Sequence, residues 1–264
     1  MADIRILSYL PNPRVWKALI AAELCGVEVE VVGDAPPKMP TWLWDFDARE
    51  LSEAERTDDS PHARISRRGF TGTLFKTDAF LEAHPFGTVP AAFSGDGSVG
   101  IFESNSILRA VVRSATDDQG LYGKDAFEAS RIDSFLDAAL VFAREAQVYL
   151  LAASEMDTTI AARMAGAYEF FLNGIEAALG NSPFIAGHAL SIADIGIACD
   201  LSQFLRERLM ADRLAVNGFE PISADLENSY PRTTAHLASL AARPVFSQYL
   251  EKSVRQTLGQ TADG

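Results

Sequence analysis

The sequence predicts an α/β domain followed by an all-helical domain, and three observations carry that prediction. The first 32 residues read strand, helix, strand, the length of a parallel βαβ unit. His84 to Val112 reads loop, strand, tight turn, strand, helix. Beyond a polar stretch at Ser114–Gly123, the long periodic segments carry helical spacing.

Ile4 to Tyr9 alternates as a first strand, and Pro11-Asn12-Pro13 ends it. A helix follows from about Pro13 to Cys25, with Val15, Trp16, Leu19, Ile20 and Leu24 at 3.6-residue spacing. Asn12 suits its N-cap, because a short polar side chain can accept from the unpaired first-turn N–H groups. Pro13 suits N1, where a missing N–H costs nothing, and Gly26 suits the C-cap. Val27 to Val32 is the second strand. Within His84 to Val112, Val89-Pro90-Ala91-Ala92-Phe93 is a strand entered through proline. Gly95-Asp96-Gly97 is a turn whose Asp-Gly pair suits a two-residue hairpin, and Val99 to Phe102 is the return strand. Ser104 is the N-cap of a helix with Ile107, Leu108, Val111 and Val112 on its apolar face.

Gly33 to Lys76 is too long for a plain loop. It holds Pro36, Pro37 and Pro40, then Trp42, Trp44 and Phe46, then a charged run from Asp45 to Arg68. Ala48 to Glu55 is expected to make two helical turns, and Thr77 to Ala83 a short helix. Trp42, Trp44 and Phe46 either cover a ligand site or a partner subunit, or form an apolar patch on their own domain. The expected helices of the second half are Asp125 to about Ala153, Thr158 to Leu179, Ser191 to about Met210, Pro231 to Ala242 and Pro244 to Arg255. Ser191-Ile192-Ala193-Asp194 is a capping-box variant before an apolar run. Asn217 to Tyr230 reads as loop and Gly259 to Gly264 as a frayed tail. The domains are expected at 1–115, with an insertion at about 38–68, and at 122–264.

Composition narrows the function classes. The 264 residues are 48% hydrophobic and 22% charged, enough for a packed core, with a formal net charge of −13. So acidic a surface repels phosphate backbones and anionic headgroups, so neither nucleic acid nor membrane is expected as a partner. No apolar run reaches spanning length and no leader-like segment is present. The two cysteines, Cys25 and Cys199, lie in apolar runs and read as buried thiols of a reducing, cytoplasmic compartment.

Gly95-x-Gly97-x-x-Gly100 matches the dinucleotide fingerprint in letters only, because a strand follows where that fingerprint needs a helix N-terminus. His62, His84, His188 and His236 lack ligand spacing, so no metal is expected. Three features carry chemistry. Pro90 is either an ordinary strand-entering proline or a cis proline that turns the Val89 backbone toward an extended, peptide-like ligand. Glu103-Ser104 either caps a helix or grips an amino-acid head group, the helix N-terminus taking the carboxylate and Glu103 the ammonium. Asn12 either bonds its own helix or donates to an anion above that helix, such as a thiolate.

Taken together, these features resemble the glutathione transferase family over nearly the whole chain. Val89-Pro90 matches its cis proline, Glu103-Ser104 its acidic/serine pair, and Gly187 through Ser191 to Asp194 its helix-start box. Two runs, Arg14 to Ala22 and Phe102 to Ile107, resemble the transferase-like domain of elongation-factor-1 gamma subunits, and Pro11-Asn12 resembles the turn of Nu-class enzymes. The resemblance implies a thioredoxin-like first domain that binds glutathione as co-substrate through Val89, Pro90, Glu103 and Ser104. It implies Asn12 at the sulfur, with Tyr9 or Arg14 as alternative donors. It further implies attack of the thiolate on a hydrophobic, aromatic electrophile, in a homodimer. The sequence departs from the family in having Leu10 where a Ser or Thr often stands and Thr88 in place of a frequent Lys. Two other functions fit the same fold: a non-catalytic interaction module and a glutathione-dependent disulfide reductase.

Overall fold

The computed structural model describes residues 2–66 and 69–259. By internal packing the chain divides into two units, Met1–Thr116 and Asp117–Gly264.

In the first unit, β1 (Ile4–Leu7) leads into α1 (Pro13–Cys25) and β2 (Val29–Val32). Asn12 caps α1 by accepting from Arg14 N–H at 3.0 Å, Pro13 opens it, and Gly26 closes it at φ 69°. The chain continues through β3 (Trp42–Trp44), β4 (Arg49–Glu50), β5 (Ala63–Ile65) and β6 (Thr73–Lys76). Then come α2 (Asp78–Ala83), β7 (Ala91–Ser94), β8 (Gly100–Phe102) and α3 (Ser104–Ser114). The main sheet has the order β2-β1-β7-β8, with β1 parallel to β2 and antiparallel to β7. Its layer order, βαβ then ββα, is thioredoxin-like.

Within residues 36–76, a 3-10 run at Pro36–Thr41 leads into a second four-stranded sheet, β4-β3-β6-β5, in which β3 and β6 run parallel. The helix expected over Ala48–Glu55 is replaced by β4 and a single 3-10 turn at Glu53–Glu55, started by a Ser52/Glu55 capping box. Arg68, which ends the charged run, lies outside the described residues, as does the tail beyond Gly259. Trp44 is buried with Met39, Leu7, Leu74, Phe80, Ala91 and Phe93, and Trp42 and Phe46 pack against that cluster. Trp44 therefore belongs to the core of its own unit, while Trp42 and Phe46 keep part of their surface.

The hairpin between β7 and β8 has a longer loop than two residues. Ser94 N–H bonds Val99 O at 2.9 Å, leaving Gly95–Ser98 as the loop. Asp96 holds it by accepting from Ser94 Oγ, Ser98 N–H and Ser98 Oγ. Gly100 has a structural reason of its own: a Cβ there would overlap the backbone oxygen of Ala83 at the end of α2.

The second unit is helical: α4 (Ala126–Leu151), α5 (Thr158–Asn181), α6 (Ile192–Phe204), α7 (Ala211–Val216), α8 (Leu226–Ser229), α9 (Pro231–Ala241) and α10 (Pro244–Leu258). Asp125 and Asp157 cap α4 and α5. The long helix expected from Ser191 to Met210 stops at Phe204 and continues as a 3-10 run, Leu205–Met210. Glu207 explains the break. Its buried carboxylate accepts from Ile222 and Ser223 N–H at 3.0 and 2.7 Å, a bond pair that pulls this segment toward residues 15 and 16 positions away. That pairing also orders part of the stretch read as loop, which contains a 3-10 turn at Ile222–Asp225 followed by α8. Asp194 is fully buried and accepts from Ser191 N–H, Ser191 Oγ, Ile185 N–H and His236 Nε2, so the capping box also ties in the connector and α9. Among the described residues, no helix is long and apolar enough to cross a membrane.

Candidate functional site

The register of the main sheet locates the site. β1 pairs Leu7 with Ala91, and β8 pairs Phe102 with the same Ala91. Both ladders of β7 end at Ala91, so the Val89–Pro90 segment, the chain leaving β1 after Leu7 and the start of α3 after Phe102 all lie at this end of the sheet. Three of the features read from sequence thus converge at one end of the sheet. The ladder stops at Ala91, and the Val89–Pro90 bond just before it is cis. Leu10–Pro11, at the same end, is cis as well, and nothing in the sequence reading anticipated it.

Ser104 is not the N-cap of α3. Glu103 holds that position: its carbonyl accepts from Ile107 N–H at 3.0 Å, and Ser104 is the first helical residue. Glu103 adopts φ 66° and ψ 124°, where a side chain is disfavoured. Such a conformation costs on the order of 1–3 kcal/mol and persists only where its surroundings enforce it. Its side chain caps nothing and is exposed, while Ser104 is half-buried. An exposed carboxylate beside the open N–H groups of a helix start suits a zwitterion, the one attracting an ammonium and the others a carboxylate.

Beneath this helix start lies Lys17. It is 1% exposed, and its Nζ donates to Ser104 Oγ at 3.3 Å and to Asn105 Oδ1 at 2.8 Å. The sequence reading passed over it. The available signal was its position on the buried stripe of α1, four residues after Pro13 and three before Ile20.

The three candidates near the sulfur divide. Asn12 is fully buried, accepts from Arg14 N–H, and donates from Nδ2 to Ser8 Oγ at 3.0 Å. Its geometry is that of an N-cap with its amide turned inward. Tyr9 and Arg14 keep part of their surface, and the Tyr9 ring meets Phe70 edge-on at 6.4 Å. Phe70 also meets Trp44 at 5.7 Å, so the insertion packs against this end of the sheet. From β6, Lys76 donates to Gly87 O at 2.7 Å and lies 4.7 Å above the Trp44 ring. Burial, then the nearby Arg64 charge, lowers its pKa from the usual lysine value.

His84 is buried, stacked on Phe80 at 4.9 Å, with Nε2 2.9 Å from Ala92 O. Burial pulls its pKa down. Among the described residues, no group of three or more His, Cys, Asp or Glu could hold a metal ion. Cys199 is buried, but Cys25, expected to be buried, is only half-buried at the end of α1, and neither is in a disulfide.

Comparison with known proteins places this architecture. No family model matches the chain. It is 28% identical over 200 residues to an elongation factor 1-gamma of Oryza sativa, an alignment covering 72% of this chain and 38% of that protein's length. It is 24% identical over 201 residues to a glutathione S-transferase-like protein of a Fusarium species, covering 75% of each. Among solved structures, a glutathione S-transferase of Methylobacillus flagellatus with GSH bound matches at a TM-score of 0.63 and 15% identity, covering 93% of this chain and 98% of that one. With its thioredoxin-like sheet followed by a helical unit, and matched almost end to end by such structures, the chain has the glutathione transferase fold.

Proposed function

We propose that the first unit binds glutathione at the end of the main sheet and lowers the pKa of its thiol for attack on a hydrophobic electrophile. The supporting observation is the convergence of Val89, Glu103 and Ser104 there. The γ-glutamyl head lies on the start of α3, its carboxylate on Ser104 and the helix N–H groups, its ammonium beside Glu103. The cysteinyl backbone pairs with Val89, whose N–H and C=O lie beyond the ladder. That leaves the sulfur on the far side of Val89, toward Tyr9, with Arg14 as second donor. Little covalent chemistry is asked of the protein beyond holding the thiolate and aligning the partners. The same reading makes the assembled form a cytoplasmic homodimer.

Calorimetry with glutathione, and kinetics with a chlorinated nitrobenzene, test it. Ser104→Ala raises the glutathione KM; an unchanged KM removes the assignment of the α3 N-terminus.

A second reading, a glutathione-binding or ligand-free interaction module, draws support from the inward-facing amide of Asn12 and from the elongation-factor relatives. Because the chain spans only 38% of those proteins' length, their assemblies are not carried over. Glutathione binding with an unshifted thiol pKa and no turnover favours this module.

A further inference from the structure

Ser104 rests on a buried cation, and that contact has only one possible direction. An ammonium carries three donors and no acceptor, so Lys17 donates to Ser104 Oγ and to Asn105 Oδ1. One lone pair of the Ser104 hydroxyl is thereby engaged, and its proton is left to donate elsewhere. A hydroxyl that accepts from a cation is also polarised into a stronger donor. The ammonium lies under the first turn of α3, whose free N–H groups already carry partial positive charge. Two like charges so placed repel each other, and an incoming anion relieves both.

We propose that Lys17 is a positioning residue: it orients and polarises the Ser104 hydroxyl as a hydrogen-bond donor toward the α-carboxylate of the γ-glutamyl group. This rests on the glutathione reading above. Lys17 itself, 1% exposed, does not touch the ligand but acts through Ser104. Asn105, also buried, sets the height of the ammonium by accepting at 2.8 Å on the same turn of α3.

The test is a double-mutant cycle read by calorimetry on the full chain, with Lys17→Met, Ser104→Ala and the double variant. Each is titrated with glutathione and with γ-aminobutyryl-cysteinylglycine, the same tripeptide without its α-carboxylate. Lys17→Met is expected to weaken glutathione about tenfold, the scale of one charge-assisted hydrogen bond, and to leave the analogue unchanged. In the Ser104→Ala background, Lys17→Met adds little further loss. Equal weakening of both ligands, or full additivity, makes Lys17 a packing residue and overturns the role. If the unaltered chain binds glutathione and Lys17→Met binds it equally well, Lys17 alone is refuted. If the unaltered chain binds no glutathione, the binding reading falls and the role of Lys17 falls with it. Should Lys17→Met not fold, Lys17→Gln, which keeps N–H donors without charge, replaces it: a smaller, glutathione-selective loss supports the role and unchanged affinity refutes it.

Discussion

Replacing Asn12 by alanine separates its two candidate roles. As an N-cap, Asn12 contributes the bond from Arg14 N–H, and its Nδ2 satisfies Ser8 Oγ, both inside a fully buried environment. Loss of the cap costs about 1 kcal/mol. Leaving the buried Ser8 hydroxyl without its donor adds about 1–3 kcal/mol. The first unit is therefore expected to lose about 2–4 kcal/mol, a sum of those two contributions. Urea denaturation followed by tryptophan fluorescence reads that unit selectively, because all three tryptophans, Trp16, Trp42 and Trp44, lie within it. The thiol of bound glutathione, titrated by thiolate absorbance in the ultraviolet, is expected to keep its midpoint. The opposite pattern, unchanged stability with the thiol pKa driven up, would refute the structural assignment and restore Asn12 to the sulfur.

Three further outcomes follow from the same geometry. Trp44→Ala empties the centre of the cluster that joins the insertion to the main sheet, at a cost of about 3–5 kcal/mol read by circular dichroism in urea. Asp194→Ala strands four donors in the helical unit, so that unit loses about 3 kcal/mol or more while glutathione affinity stays the same; a weakened affinity contradicts it. His84 has a folded pKa below its ordinary 6.5, since burial disfavours the imidazolium. The unfolded chain therefore binds a proton first on acidification, so this stabilisation is present above pH 6.5 and is lost as pH falls from there toward the folded value. His84→Gln flattens that part of the stability–pH curve; an unaltered curve removes His84 as its source.

How much of this was legible in the sequence depended on how local the determining forces are. Asn12, Pro13 and Gly26 punctuate α1 within a single element, so its limits could be read directly. The insertion could not. Its strands are two to four residues long, below the length at which alternation is informative, and β3 and β6 pair across some thirty residues of charged chain. The stop of α6 is likewise set from a distance, by Glu207 bonding backbone at Ile222 and Ser223. At the site, the Glu103-Ser104 pair stood out by residue type. Its frame was off by one, because a glutamate at positive φ is not what capping preferences select.

Binding and activation are separable demands in this unit, and that decides what remains to be measured. On the glutathione reading, the binding end uses backbone at Val89, a helix start at Ser104 and a carboxylate at Glu103, with α1 and α3 joined there through Lys17. Thiol activation needs a donor on the other side of Val89. Asn12 turns its amide to Ser8 in this structure, so Tyr9 and Arg14 are the donors to test beside it. If Tyr9 is that donor, Tyr9→Phe raises the bound thiol's pKa and lowers turnover while glutathione affinity at low pH, where the sulfur is protonated in both proteins, is unchanged. A Tyr9→Phe variant with the original thiol midpoint and rate excludes Tyr9. If Arg14→Leu then behaves the same way, the unit holds the tripeptide without activating it, and the interaction-module reading takes precedence over catalysis.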